Sequence, residues 1–198
     1  IVDVVRTTSL DHYKHHHHGG FIIPTTAHHH PYSCYMMCIG QHWNSQTYTY
    51  ESTRSNVDDA VVPVMPSLFN QIVHHIQQHV QSSTASASMS SSFPIIKPDV
   101  CLVNLYDQSS SKLGMHQDKD EQDFSQPIVS VSLGVPAIFQ IGGLQRNDKV
   151  FKLVLQHGDV LVWGGESRLR FHGVLPVKTA THPVLGACRV NLTFRKAV

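Results

Sequence analysis

Two hydrophobic periodicities divide the chain. Over residues 66–80, Leu68, Phe69, Ile72, Val73, Ile76 and Val80 recur at three- and four-residue steps, so they share one stripe of an α-helix. His74, His75 and His79 fall on or near the opposite side and read as solvated surface. From Pro98 onward the period changes to two. Segments 100–106, 127–133, 137–141, 149–155, 160–163 and 189–195 each read as a strand, with turns at Gly142-Gly143, Gly158-Asp159 and Gly164-Gly165. Short strands with no helical pattern between them predict a sandwich or barrel over 98–198, with the helix packed outside it. Segments 1–5 and 20–23 also read as short strands. The Ser-rich run 81–92 reads as a flexible connector inside an N-terminal segment, 1–97, that precedes the strand-rich core, 98–198, the two forming one compact domain overall.

Composition narrows the class. At 198 residues, 41% hydrophobic and 15% charged, the chain is long enough for a sizeable core and too apolar to be disordered. A formal charge of +1 gives no global basicity, so any nucleic-acid contact must come from a local patch. Cys34, Cys38, Cys101 and Cys188 form no paired CxxC units, which fits reduced thiols in a cytosolic protein better than a zinc site. No apolar run approaches the ~18 residues of a membrane span, and no signal-peptide pattern opens the chain. The first residue is Ile, which fits a processed, truncated or partial N-terminus. The runs His15–His18 and His28–His30 lack a shaping partner and read as tag-like surface.

The alternation along 189–195 carries more than a fold signal. Arg189, Asn191, Thr193 and Arg195 share one strand face, while Val190, Leu192 and Phe194 share the other and would pack on a second layer. Two arginines on an enclosed face are costly unless anions neutralise them, and their forked guanidinium groups suit carboxylates. A small diacid would satisfy both, with Asn104 and Tyr106 on a neighbouring strand face as further hydrogen-bonding groups. Upstream, His116-Gln-Asp118-Lys-Asp120 would set an imidazole and two carboxylates on one face of an extended strand. A His, a carboxylate and a second His, here His172 from the Arg168-Leu-Arg-Phe-His172 stretch, make the ligand set of a non-haem Fe(II) oxygenase. Trp43, Tyr48 and Tyr50 present rings that can stack on a base or pack a sheet, with Tyr48 and Tyr50 expected on one face.

These motifs together resemble the Fe(II)- and 2-oxoglutarate-dependent AlkB dioxygenases, which repair alkylated bases. The resemblance rests on HQDKDE at 116–121, PIVSVSLGVPAIFQIGGLQRND at 127–148, HGDVLVWGGESRLRFHG at 157–173 and RVNLTFR at 189–195. It is dense over 98–198, weak over 32–80 and absent before that. It implies a mainly β fold with a flanking helix, its core a double-stranded β-helix (jelly roll). By the same resemblance His116, Asp118 and His172 bind Fe(II). Arg189 and Arg195 pair with the two carboxylates of 2-oxoglutarate, Asn104 and Tyr106 hydrogen-bond it, and Asn191 lies beside it. A flipped base stacks between Trp43 and His116, Asp120 accepts from its exocyclic amine, and Tyr48, Tyr50 and Arg146 contact the substrate strand or base. The N-terminal segment then carries a nucleotide-recognition lid and its supporting helix.

The implied activity is oxidative demethylation of bases such as 1-methyladenine and 3-methylcytosine, mainly in single-stranded DNA. It consumes O2 and 2-oxoglutarate and yields succinate, CO2 and formaldehyde. The alternatives are the same core acting on RNA or protein, or a non-catalytic β-barrel binding module. A cytoplasmic monomer with no membrane association is the accompanying expectation.

Overall fold

The structure, a computed structural model, describes residues 1–12, 20–85, 94–107 and 110–198. The His15–His18 run and part of the Ser-rich run fall outside the described residues. Two antiparallel sheets form the core. The larger contains β1 (Tyr35–Ile39), β4 (Val100–Tyr106), β11 (Arg189–Arg195), β6 (Ile128–Gly134) and β9 (Val160–Trp163), in the order β1-β4-β11-β6-β9. The smaller contains β5 (Leu113–His116), β10 (His172–Val174), β7 (Ala137–Ile141) and β8 (Phe151–Leu155), in the order β5-β10-β7-β8. A separate hairpin joins β2 (His42–Asn44) to β3 (Thr49–Glu51). The two facing sheets are the sandwich the strand pattern predicts, in the jelly-roll form the resemblance implies.

Period-two alternation builds two apolar layers from single strands. On β4, Cys101 and Val103 face outward with Val129, Val131, Leu192 and Phe194, and helix α2 (Ser67–Ala85) covers them through Phe69 and Val73. The Phe69 and Phe194 rings meet edge to face at 5.5 Å. The other face of the larger sheet turns Leu102 and Tyr106 toward Phe139, Leu155 and Val174 of the smaller one. Between these layers sit the polar residues that give the interior its chemistry. Gly173 lets β5 and β10 approach closely, because a Cβ there would lie 2.7 Å from the Leu113 carbonyl oxygen.

Three expectations change. The stretch 1–5 is not a strand: from Val2 it belongs to helix α1 (Val2–His12), whose Val5 joins the outer core; packing against that core overrides the β preference of its valines. Residues 20–23 contribute only an isolated bridge between Ile22 and Met36. Helix α2 runs to Ala85, into the run expected as connector, since serines at an exposed helix end find local acceptors: Ser82 and Ser83 each donate to the His79 carbonyl at 2.9 Å. The exposure of His74, His75 and His79 agrees with the sequence.

Candidate metal centre and adjoining pocket

The smaller sheet brings the first ligand pair together by register. His116 on β5 and His172 on β10 are direct cross-strand partners, and their rings lie 4.4 Å apart. Strand β5 ends at His116, so Asp118 and Asp120 do not extend it as alternation predicts. Beyond the strand the Asp118 carbonyl accepts from Arg168 Nη1, at 2.6 Å, outside the sheet's ladder. That departure turns the Asp118 carboxylate inward beside both imidazoles. Ligand atoms of His116, Asp118 and His172 all fall within 4.8 Å of one another.

The tautomers follow from the acceptors. His116 Nδ1 lies 2.8 Å from the Gly114 carbonyl oxygen and His172 Nδ1 lies 3.0 Å from that of Arg170. A carbonyl can only accept, so each Nδ1 carries the proton and each Nε2 presents a bare lone pair. Those lone pairs face Asp118 Oδ1 at 3.5 Å and Oδ2 at 3.4 Å. Lone pairs turned toward an anionic carboxylate call for a cation, and Asp118 Oδ2 is buried with no hydrogen-bond partner among the described residues. Two neutral imidazoles and one carboxylate fit Fe(II). Burial by itself would raise the Asp118 pKa, but the Arg195 guanidinium beside it holds it well below the usual carboxylate range. Phe139 stacks on the His172 ring at 5.9 Å and Trp163 meets its edge at 5.2 Å, fixing the plane of that ligand.

Beside this triad, a narrow inner cavity is lined by Asn104, Tyr106, Arg189, Asn191, Thr193 and Arg195 together with His116, Asp118 and His172. The face expected to point inward on β11 does so. Among the described residues Arg189 gives one hydrogen bond, from Nη2 to Ser132 Oγ at 3.0 Å, and leaves Nε and Nη1 buried without partners. Arg195 Nε and Asn104 Oδ1 are likewise unpartnered. Buried guanidinium N–H groups left open toward one chamber fit the carboxylates of a diacid. Asn191 is different, because its amide already donates to Ser130 Oγ at 2.8 Å and the Val131 carbonyl at 3.1 Å, and accepts from Thr193 at 2.9 Å. Its contribution is to shape the wall. Ser130 and Ser132 escaped sequence reasoning, although their polar alternation with Val129, Val131 and Leu133 was the signal for it.

A second, open cavity of about 690 Å³ meets the triad from outside. Trp43, Tyr48, Asp120 and Arg146 line it with His116 and Asp118, and so do Tyr32 and Met36. Trp43 Nε1 donates to Asp120 Oδ2 at 2.9 Å. Burial raises the Asp120 pKa, with the neighbouring Glu121 and Asp118 charges adding to the rise and the Trp43 hydrogen bond opposing it. Tyr48 and Tyr50 do not share a face. Tyr48 sits before β3 in a left-handed turn, at φ 58°, and stays exposed, whereas Tyr50 points inward to Glu121 and Arg195. Arg146 reaches the pocket rim by donating to the Met115 carbonyl at 3.2 Å and lying over the Phe171 ring. Sequence reading also missed Glu121 and Arg168, both fully enclosed behind the triad.

Among the described residues no helix is long and apolar enough to cross a membrane. All four cysteines are free thiols.

Comparison with known proteins is consistent with this geometry. The model of the 2OG-Fe(II) oxygenase superfamily matches residues 8–195. The chain is 52% identical over 135 residues to the alpha-ketoglutarate-dependent dioxygenase AlkB of Escherichia coli, covering 68% of this chain and 57% of that protein. It is 42% identical to the AlkB of Salmonella typhimurium, covering 81% of this chain and 69% of that one. A DNA N(6)-methyladenine demethylase of Arabidopsis thaliana, ALKBH1C, is 39% identical over 81% of this chain, which spans 38% of its length. Among solved structures, that of OsALKBH1 superposes with a TM-score of 0.82 at 38% identity, covering 98% of this chain and 90% of that one.

Proposed function

Given that the chain belongs to the 2OG-Fe(II) oxygenase superfamily, in its AlkB branch, we propose that it oxidatively demethylates N-alkylated bases in single-stranded DNA. 1-Methyladenine and 3-methylcytosine are the leading substrates. The observation that carries this reading is the junction of two chambers at one triad: an inner one with unpartnered arginine donors and an outer one with an aromatic wall and a carboxylate.

His116, Asp118 and His172 hold the metal through Nε2, one carboxylate and Nε2. Arg189 Nε and Nη1 bind the far carboxylate of 2-oxoglutarate, and Arg195 Nε binds the carboxylate beside its keto group. Bound Fe(II), with 2-oxoglutarate and O2, supplies the oxidising power that hydroxylates an N-methyl carbon, giving succinate and CO2 and, after loss of the hydroxymethyl group, formaldehyde. The remaining work belongs to the outer chamber. Trp43 and the His116 ring provide faces for a flipped base, and Tyr48 closes the open side. Asp120 accepts from the exocyclic amine, exchanging its indole donor for the base. Arg146 stands at the rim, where a phosphate of the same strand would pass. A base must leave its stack to enter, which favours single strands.

The relatives named as N(6)-methyladenine demethylases support a second substrate. N6-methyladenine retains one amine hydrogen, so Asp120 can accept from it in the same way. A panel of single-stranded oligonucleotides carrying 1-methyladenine, 3-methylcytosine or N6-methyladenine, as DNA and as RNA, separates these readings by mass spectrometry. Loss of 14 mass units (one CH2) from the first two in DNA is expected; turnover of none of them would overturn the substrate assignment.

A further inference from the structure

Behind the triad lies a buried ionic cluster that the proposed chemistry does not use. Glu121 has a fully enclosed side chain, and its two oxygens have different partners. Oε2 accepts from Arg168 Nη2 at 3.0 Å. Oε1 accepts from the Tyr50 hydroxyl at 2.9 Å and from Arg195 Nη1 at 3.2 Å. Arg195 Nη1 also donates to the Tyr50 oxygen at 3.0 Å, while its Nη2 pairs with Asp118 Oδ1 at 2.8 Å. Arg168 completes the ring through the Asp118 carbonyl at 2.6 Å and the Gln126 carbonyl at 3.1 Å.

Charge bookkeeping explains why Glu121 must be present. Two buried guanidinium groups face two buried carboxylates, so the cluster is neutral. Once Asp118 serves a metal cation, its charge is shared, and Glu121 becomes the chief counter-charge for Arg195. Glu121 therefore governs how Arg195 sits and where its free Nε points. Tyr50 adds a connection to the outer chamber. It is the cross-strand partner of Trp43 on the β2–β3 hairpin, and the two side chains grip consecutive residues: Trp43 holds Asp120 and Tyr50 holds Glu121. Displacing the hairpin displaces a hydrogen-bonding partner of both Glu121 and Arg195.

We propose that Glu121 is a positioning residue that orients Arg195 for the cosubstrate and, through Tyr50, makes that orientation depend on the seating of the base-binding hairpin. The proposal rests on the reading of Arg195 as a 2-oxoglutarate ligand. By linkage, a substrate that settles the hairpin tightens 2-oxoglutarate binding, and the converse holds to the same degree.

The test is calorimetric titration of 2-oxoglutarate into the Mn(II)-loaded protein, with and without a single-stranded 3-methylcytosine oligonucleotide. Wild-type protein, Tyr50→Phe and Glu121→Gln are compared, with thermal midpoints recorded alongside. Wild-type affinity is expected to rise when the oligonucleotide is present. Tyr50→Phe keeps the ring and removes one hydroxyl; it should weaken 2-oxoglutarate binding roughly fivefold and abolish that rise. Glu121→Gln should weaken binding more; should it fail to fold, Tyr50→Phe decides alone. A lowered midpoint with unchanged affinity and an intact rise in Tyr50→Phe would make the cluster merely structural and overturn the proposal. Absence of any 2-oxoglutarate binding by the wild-type protein would instead overturn the functional reading beneath it.

Discussion

The inner and outer chambers meet at the same triad but are built on opposite principles. The inner one is walled by central strands. Its ligands are held by register, by backbone acceptors for both histidine Nδ1 atoms, and by a neutral ring of Asp118, Glu121, Arg168 and Arg195. The outer one is walled by a two-stranded hairpin, a left-handed Tyr48 and a half-buried carboxylate held by one indole donor. Fixed donors suit a cosubstrate that is the same in every turnover. Exchangeable contacts suit a substrate that must displace them to enter. On the proposed reading, the difference places the rigid contacts where the reacting atoms would be positioned and the exchangeable ones where a base would be selected.

Changes in the inner chamber should therefore damage every reaction, and changes outside should damage base repair selectively. The largest effect is expected for His172→Ala, which removes one of the triad's two imidazoles: succinate formation should fall below detection with or without oligonucleotide, and a chelator should do the same to wild type. Arg189→Lys keeps the charge but loses the fork, so the KM for 2-oxoglutarate should rise roughly 10- to 100-fold in a succinate assay. Trp43→Ala should reduce kcat/KM for a methylated oligonucleotide by roughly tenfold or more through lost stacking, read as formaldehyde release. Asp120→Asn should lower repair of amine-bearing bases more than it lowers oligonucleotide-free succinate formation. Equal losses would merge the two chambers' roles and break the distinction.

The smallest effect concerns the thiols behind the wall. Burial pushes Cys34 up to about 12 and Cys38 to about 11, so both stay protonated and shielded at pH 8. Cys188 is only partly buried, and iodoacetamide should modify it first, by peptide mass mapping.

Legibility in the sequence follows the same division. Arg189, Asn191, Thr193 and Arg195 were legible because period-two alternation fixes which side chains enter the core whatever the tertiary details. His116 and His172 could be paired by chemistry, and register then made them neighbours. Asp118 was assigned correctly to the triad's company on the wrong grounds, since it leaves the strand rather than continuing it. Glu121 and Arg168 carry no local signal: a charged residue in a loop reads as solvated until the partner that neutralises it is located in space. Tyr48 and Tyr50 were misplaced for a related reason, because a left-handed residue breaks the alternation and is hard to see in a Tyr-Thr-Tyr string. Residues 1–5 show packing overriding propensity.

The central claim is that one triad joins cosubstrate oxidation to base demethylation. It is tested most directly by measuring succinate and formaldehyde together from a single-stranded 3-methylcytosine oligonucleotide with Fe(II), 2-oxoglutarate and O2. The account predicts that both appear, in near-equal amounts, and that unmodified cytosine is recovered. Succinate produced at the same rate with no formaldehyde and an unchanged oligonucleotide would contradict it.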